Sequence, residues 1–185
     1  MKLNMGCGNN KMEGWVNVDM FSECSPDVVC NLESIPWIWE TSSATEVKFH
    51  HSLEHMGADS KLFLSMMKEL YRVCAPGCIV RITVPHPRHD NFINDPTHVR
   101  AISPNLMALF SKRMNAQWKR EHGSNTPLAT YLDVDFDITE VTFIVDEPYL
   151  SLYQSKKISD NELSTMIKER NNIVSEYQMV LTVIK

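Results

Sequence analysis

The stretch Leu3-Asn4-Met5-Gly6-Cys7-Gly8-Asn9-Asn10, followed by Gly14-Trp15-Val16-Asn17-Val18-Asp19, decides the fold. The apolar run at 1–5 reads as a strand, residues 6–10 as a glycine turn, and 15–19 as a second strand with alternating apolar positions. Glycines let the backbone turn tightly and let a ligand approach without a Cβ in the way. In open α/β sheets, ligands bind beyond the carboxyl ends of the strands, and an acid closing the second strand can accept hydrogen bonds from both ribose hydroxyls. Gly6, Gly8 and Asp19 together therefore predict a nucleoside cofactor. The dinucleotide fingerprint G-x-G-x-x-G is absent, because Lys11 stands at its third glycine. A Walker loop is absent too, so pyrophosphate binding is disfavoured. The bland alternative is a glycine-rich surface turn beside a solvated aspartate.

The spacing carries a tension. Only Gly6 to Gly14 separates the two strands, whereas a parallel crossover usually needs about a dozen residues or more. The first crossover is expected to be a loop or a single helical turn.

Further strands are expected over 27–32, 46–50, 78–84, 141–145 and 179–184. Leu62, Phe63, Met66, Met67, Leu70, Val73 and Cys74 recur at helical spacing and predict a helix over 60–74, stopped by Pro76-Gly77. Ser103-Pro104 reads as an N-cap with proline at the first helical position, leading a helix whose apolar face carries Leu106, Leu109, Phe110 and Met114. Residues 119–135 read as irregular. Ser159-x-x-Glu162 is a capping box that opens a helix to about residue 171. Strands alternating with helices make this an α/β protein with a mostly parallel sheet. One domain is expected over 1–185: a cofactor half at about 1–85, acceptor-site loops at about 86–135, and a strand-helix-strand unit at about 137–185.

Composition narrows the function classes. The chain is 43% hydrophobic and 22% charged, which is ordinary for a soluble globular domain. A net charge of −5 without a long basic run disfavours nucleic acid and membrane surfaces as partners. Cys7, Cys24, Cys30, Cys74 and Cys78 are odd in number and include no C-x-x-C pair, so they read as free thiols of a cytoplasmic protein. No stretch approaches 18 apolar residues.

At four places the chain resembles class I S-adenosylmethionine-dependent methyltransferases, in a minimal branch with a short first crossover. Residues 3–8 resemble the family's first motif and 14–19 its acidic second strand. Ser52-Leu53-Glu54-His55 resembles the segment after the fourth strand, and 68–77 with the following strand resembles the fourth helix, turn and fifth strand. The likeness covers roughly residues 1–115. It implies a doubly wound, mostly parallel seven-stranded sheet with helices on both faces and an antiparallel last strand pair. It also implies S-adenosylmethionine as cofactor. Met5, Gly6, Cys7 and Gly8 would face its methionine part, Asp19 its ribose, and Met20, Asn31 and Leu32 its adenine. His51 and Ser52 would border the methionine end and the acceptor. Asn31 stands where many members carry Asp, and Asn10 where some carry a third glycine.

The histidines raise a second possibility. His51-Ser52-Leu53-Glu54-His55 fits H-x-x-E-H, which on a helix can hold zinc beside a glutamate base. A strand runs straight into it, so the two rings are expected to diverge and no metal is assigned. The loop after the fifth strand holds His86, Arg88, Asp95, His98 and Arg100. His98 or His86 is the expected general base, with Asp95 beside it, and the arginines are expected to draw an anionic substrate. The bland reading is that Asp95 caps a turn and His98 packs on it. The chain thus reads as a methyltransferase with a small, polar or glycan-like acceptor. The other reading is a non-catalytic cofactor-binding module, with helix 160–171 and the terminal strand offering an interface for a homodimer or another chain.

Overall fold

A computed structural model describes residues 1–185. Seven strands, β1 (Lys2–Met5), β2 (Val16–Asp19), β3 (Val28–Val29), β4 (Ala44–His50), β5 (Cys74–Pro85), β6 (Phe136–Val145) and β7 (Val174–Val183), form one sheet in the order β3-β2-β1-β4-β5-β7-β6. The first five run parallel, while β7 lies antiparallel between β5 and β6. The register lines up apolar side chains across the strands. Leu3, Val47, Val80 and Leu181 make one row, and Val18, Met5, Phe49, Ile82 and Met179 make the next. All of them are buried.

The amphipathic helix α1 (Ser60–Val73) covers these rows with Phe63, Met67, Leu70 and Val73. Asp59 caps its start, accepting from the backbone N–H groups of Lys61 and Leu62. Its end differs slightly from the sequence reading: β5 begins at Cys74 and runs through Pro76-Gly77, with a register irregularity opposite Ala44 and Glu46.

A short helix α2 (Asp90–Ile93) follows β5. The helix expected after Ser103 is two helices, α3 (Pro104–Ala108) and α4 (Lys112–Arg120), each with a serine cap, Ser103 and Ser111. The break has a physical cause. The carbonyl of Leu109 accepts from Ala129 N–H and Asn115 Nδ2, and that of Phe110 accepts from Phe136 N–H. These bonds replace the helical ladder at that turn. Residues 119–135 contain α5 (Leu128–Leu132), and β6 and β7 are joined through α6 (Tyr149–Gln154) and α7 (Asp160–Glu169). Both halves of the Ser159–Glu162 capping box are formed.

The two faces of the sheet are covered unequally. The ring of Tyr71 on α1 meets Phe136, and Phe63 meets Phe110 beside α3, so α1 and α3 share a face of the sheet. The opposite face carries Lys48, Arg81, Gln178 and Thr142, half-buried or exposed. The first two crossovers, at 6–15 and 20–27, are too short to supply the second layer and hold only turns and one 3-10 turn at Ser22–Cys24.

Two asparagines hold the short crossover in place of a helix. Asn17 Oδ1 accepts from Met12 N–H at 2.8 Å and from Asn4 Nδ2 at 2.9 Å. Its amide donates to the Met12 and Trp15 carbonyls and to Asp27. Asn4 Nδ2 also reaches the Asn10 carbonyl. Asn17→Ala strands several of these buried groups and should lower stability by roughly 1–3 kcal/mol in urea unfolding. A change below a few tenths would remove Asn17 from this role.

Candidate cofactor and acceptor site

Each strand-to-loop corner at the carboxyl edge of the sheet is shaped by a specific contact. Gly6 (φ +67°) and Gly8 (φ +48°) both adopt left-handed backbone. Gly6 has a second constraint, because a Cβ there would lie 2.5 Å from Ser52 Cβ. That closeness joins the glycine turn to the end of β4, where Ser52 Oγ donates to the Met5 carbonyl at 2.8 Å. A Cβ on Gly8 would meet nothing within 4 Å.

Asp19 closes the corner. Its two carboxylate oxygens accept from Gly8 N–H at 2.7 Å and from Phe21 N–H at 3.0 Å. An ionised carboxylate has about four acceptor positions, so roughly two remain for a ligand.

The third wall is the 31–41 segment, which the sequence reading did not describe beyond Asn31 and Leu32. The buried Glu69 carboxylate accepts from Trp37 N–H at 2.7 Å and pairs with Arg72 at 2.6 Å. Arg72 also donates to the carbonyls of Trp37 and Trp39. The Arg72 guanidinium, helped by the Trp37 N–H, holds the Glu69 carboxyl below the usual carboxylate range against the opposing effect of burial. One helix thus fixes the loop that carries Asn31, Leu32 and Glu33.

These elements enclose a cavity of about 460 Å³. Eight of the expected cofactor residues line it: Gly6, Gly8, Asp19, Met20, Asn31, Leu32, His51 and Ser52. Phe21, Cys30, Glu33, His55, Met56 and Thr97 line it as well and were missed. Met5 and Cys7 do not line it. Met5 is wholly buried in the core, and the Cys7 thiol is buried and turned to the Gly8 carbonyl. Burial raises the Cys7 thiol pKa, with the Asp19 charge adding to it.

His51 stands at the edge of this cavity in left-handed backbone, φ +49°. Two carboxylates favour its charged form, Glu54 first and Glu176 second, while burial opposes them. By distance the Glu176 contact is the hydrogen bond, at 3.0 Å against 3.7 Å for Glu54. The H-x-x-E-H stretch forms a 3-10 turn at Leu53–His55 rather than an α-helix. His55 turns instead to Thr97 and His98.

A second cavity, of about 480 Å³, lies at the carboxyl end of β5. His86, Arg88, Ser103 and Asn105 contribute to it from the expected loops. Phe143, Tyr153, Asp160, Leu163, Ser164 and Tyr177 come from the C-terminal unit, which the sequence reading did not assign to the site. Only the fold brings those residues next to β5.

The loop residues expected to act in catalysis are engaged in other contacts, although Asp95 Oδ2 does lie 3.7 Å from His98 Nε2. His98 lines neither cavity; its ring stacks on Phe92 and donates Nδ1–H to the Phe92 carbonyl. Asp95 accepts from Thr97 N–H and Oγ1–H, as a turn cap does. His86 accepts Arg88 N–H at Nδ1, 3.1 Å, which engages its lone pair and places its proton on Nε2. His86 has no free lone pair, and His98, whose Nε2 is not hydrogen-bonded, is not among the residues lining either cavity. The arginines are also committed. Arg88 donates to the Ile167 and Lys168 carbonyls at the end of α7. Arg100 donates to the Gly57 carbonyl and lies 4.4 Å from the centre of the Phe63 ring.

Several solved structures share this architecture. A SAM-dependent methyltransferase from Archaeoglobus fulgidus is similar with a TM-score of 0.60 and 18% identity, over 98% of this chain and 85% of that one. A SAM-dependent methyltransferase from Methanosarcina mazei gives 0.57 and 13%, over 99% and 92%. The chain has the methyltransferase fold. No family model matches the sequence, and no curated protein matches it. The [4+2]-cyclase SpnF is similar to this chain as well, with a TM-score of 0.53 and 13% identity over 99% of this chain and 74% of that one. Architecture alone therefore does not name the reaction, and activity is argued from the site.

Two outcomes check this geometry. Gly6→Ala should destabilise the fold through Ser52, whereas Gly8→Asn should keep its melting temperature, since Asn tolerates left-handed backbone. Equal losses in the two variants would contradict the assignment. The second concerns His86, whose pKa is lowered first by burial and then by Arg88 and His89. The folded chain then binds fewer protons here than the unfolded chain, whose value is about 6.5. This contribution is present above pH 6.5 and is lost as pH falls below it. His86→Asn should flatten the pH dependence of stability from neutral pH downward in denaturant titrations. An unchanged slope would contradict it.

Proposed function

We propose that the protein binds S-adenosylmethionine in the 460 Å³ cavity and transfers its methyl group to a small polar or glycan-like acceptor. The observation that supports this reading best is the convergence of Gly6, Gly8, Asp19 and Ser52 on one cavity at the carboxyl ends of β1, β2 and β4. In an open α/β sheet that is where a nucleoside ligand binds. Asp19 has acceptor positions left for ribose hydroxyls. Met20, Cys30 and Leu32 offer an apolar slot for adenine, and Gly6, Gly8 and Ser52 border the methionine end.

The cofactor, when bound, supplies the reactive sulfonium. The chain's contribution is position: holding the acceptor atom in line with the departing sulfur is worth several kcal/mol. In this reading the second cavity receives the acceptor. Phe143, Tyr153 and Tyr177 offer flat apolar surfaces, and Asp160, Ser164 and Asn105 offer hydrogen bonds, a mixture suited to a sugar ring. His86 is not carried forward as a base because its lone pair accepts Arg88 N–H, and His98 is not because it lines neither cavity.

Calorimetry with S-adenosylhomocysteine tests the cofactor half of the reading. Wild type should bind with one site per chain, and Gly8→Asn, folded but with a side chain in the cavity, should bind at least tenfold more weakly. Equal binding by both proteins would count against the cavity. Turnover of labelled cofactor across a panel of small glycans and polar metabolites tests the acceptor half, and binding without turnover on any of them would favour the non-catalytic module.

A further inference from the structure

We propose that Glu54, His55 and His98 form a binding site for a divalent transition-metal ion on the wall of the cofactor cavity. One carboxylate oxygen of Glu54 and one ring nitrogen each of His55 and His98 lie within 4.8 Å of one another. An ion held by bonds of about 2.1 Å in tetrahedral geometry separates its ligand atoms by about 3.4 Å, so ligation requires a contraction of about 1.4 Å or less.

The independent observation is the state of Glu54. Its side chain is 1% exposed, and neither carboxylate oxygen has a hydrogen-bond partner. His51 Nδ1 lies 3.7 Å from one of them, too far for a hydrogen bond. Burying a carboxylate without partners is costly unless a charge or a metal compensates it. The position is also firmly built, since the Glu54 carbonyl accepts from both Val99 and Arg100 N–H and ties the 95–100 loop to the Leu53–His55 turn.

The two imidazoles are arranged as metal ligands usually are. Thr97 Oγ1 donates to Asp95 at 2.6 Å, so its lone pair accepts from His55 Nδ1–H at 2.9 Å. The Phe92 carbonyl can only accept, so His98 Nδ1 carries a proton as well. Both tautomers, inferred from these partners, leave the lone pair on Nε2. An imidazole that donates its other N–H to a carbonyl or a polar relay is the usual outer-shell pattern of a ligating histidine. Asp95 Oδ2, 3.7 Å from His98 Nε2, adds negative charge nearby.

Two nitrogens and one carboxylate select a borderline ion such as Zn²⁺ or Co²⁺ over Mg²⁺ or Ca²⁺, which prefer all-oxygen shells. Three protein ligands leave a position open for water or a ligand oxygen. His55 and Thr97 also line the cofactor cavity, which puts the ion beside it. This set replaces the His51–His55 pair suggested by the H-x-x-E-H pattern: Glu54 and His55 stay, and His98 arrives from 43 residues downstream.

The test is Zn²⁺ titration of the chelator-treated full chain by calorimetry, with Co²⁺ absorption as a second readout. One ion per chain should bind, with visible Co²⁺ bands of a nitrogen- and oxygen-ligated site. His98→Ala and Glu54→Gln should each weaken binding at least tenfold, and His122→Ala, at an exposed histidine, should not. Circular dichroism confirms folding, and if Glu54→Gln unfolds, His98→Ala carries the test. Unchanged affinity in His98→Ala, or no binding at millimolar Zn²⁺, overturns the site. S-adenosylhomocysteine binding, measured on the same samples, reports on the cofactor reading separately, so either proposal can fail without the other.

Discussion

The Asp19 carboxylate is the contact on which the site depends. It takes the N–H groups of Gly8 and Phe21 and so locks two loops, from different strands, at the same edge of the sheet. A helical crossover would ordinarily fix that corner through packing. Here the crossover is about one helical turn too short for a helix, and side-chain hydrogen bonds replace it. Asn17 and Asn4 hold the loop from beneath while Asp19 holds it at the tip. The charge is not exhausted by this work, since a carboxylate has lone pairs beyond the two in use. The same group can therefore build the site and bind in it.

The consequence for the rest of the fold is a one-sided molecule. The apolar rows of the sheet face α1 and α3, while Lys48, Arg81 and Gln178 face outward. Stability then has to come largely from one interface, and α1 is central to it. That helix contributes the buried Phe63, Met67 and Leu70 and also the Glu69–Arg72 pair that fixes the Leu32–Trp39 wall of the cavity. Core packing and site geometry share one element.

Much of this was legible from local pattern. Residues 62–74 announce α1 by spacing, the alternation in 15–19 gives β2, and Gly6, Gly8 and Asp19 mark the cavity. The seven-stranded, mostly parallel sheet with its antiparallel last pair agrees with the resemblance to class I methyltransferases. What escaped reading depends on contacts distant in sequence. Nothing near Leu109 shows that Ala129 will take its carbonyl and break a helix. Nothing near residue 98 shows that His98 will pack on Phe92 and His55 instead of lining a cavity itself. Tyr153 and Tyr177 join the second cavity only because β7 inserts between β5 and β6. Met5, the last residue of β1, and Cys7, in the turn after it, are buried and do not line the cavity.

The central claim is that Asp19 holds the glycine turn and the ribose at once. A crystal structure of the protein with S-adenosylhomocysteine tests it most directly. The account predicts ribose hydroxyls within hydrogen-bond distance of the Asp19 carboxylate while Gly8 N–H still donates to it, with the homocysteine end at Gly6 and Ser52. A ligand bound elsewhere, or a ribose that displaces Gly8 N–H from Asp19, would contradict it.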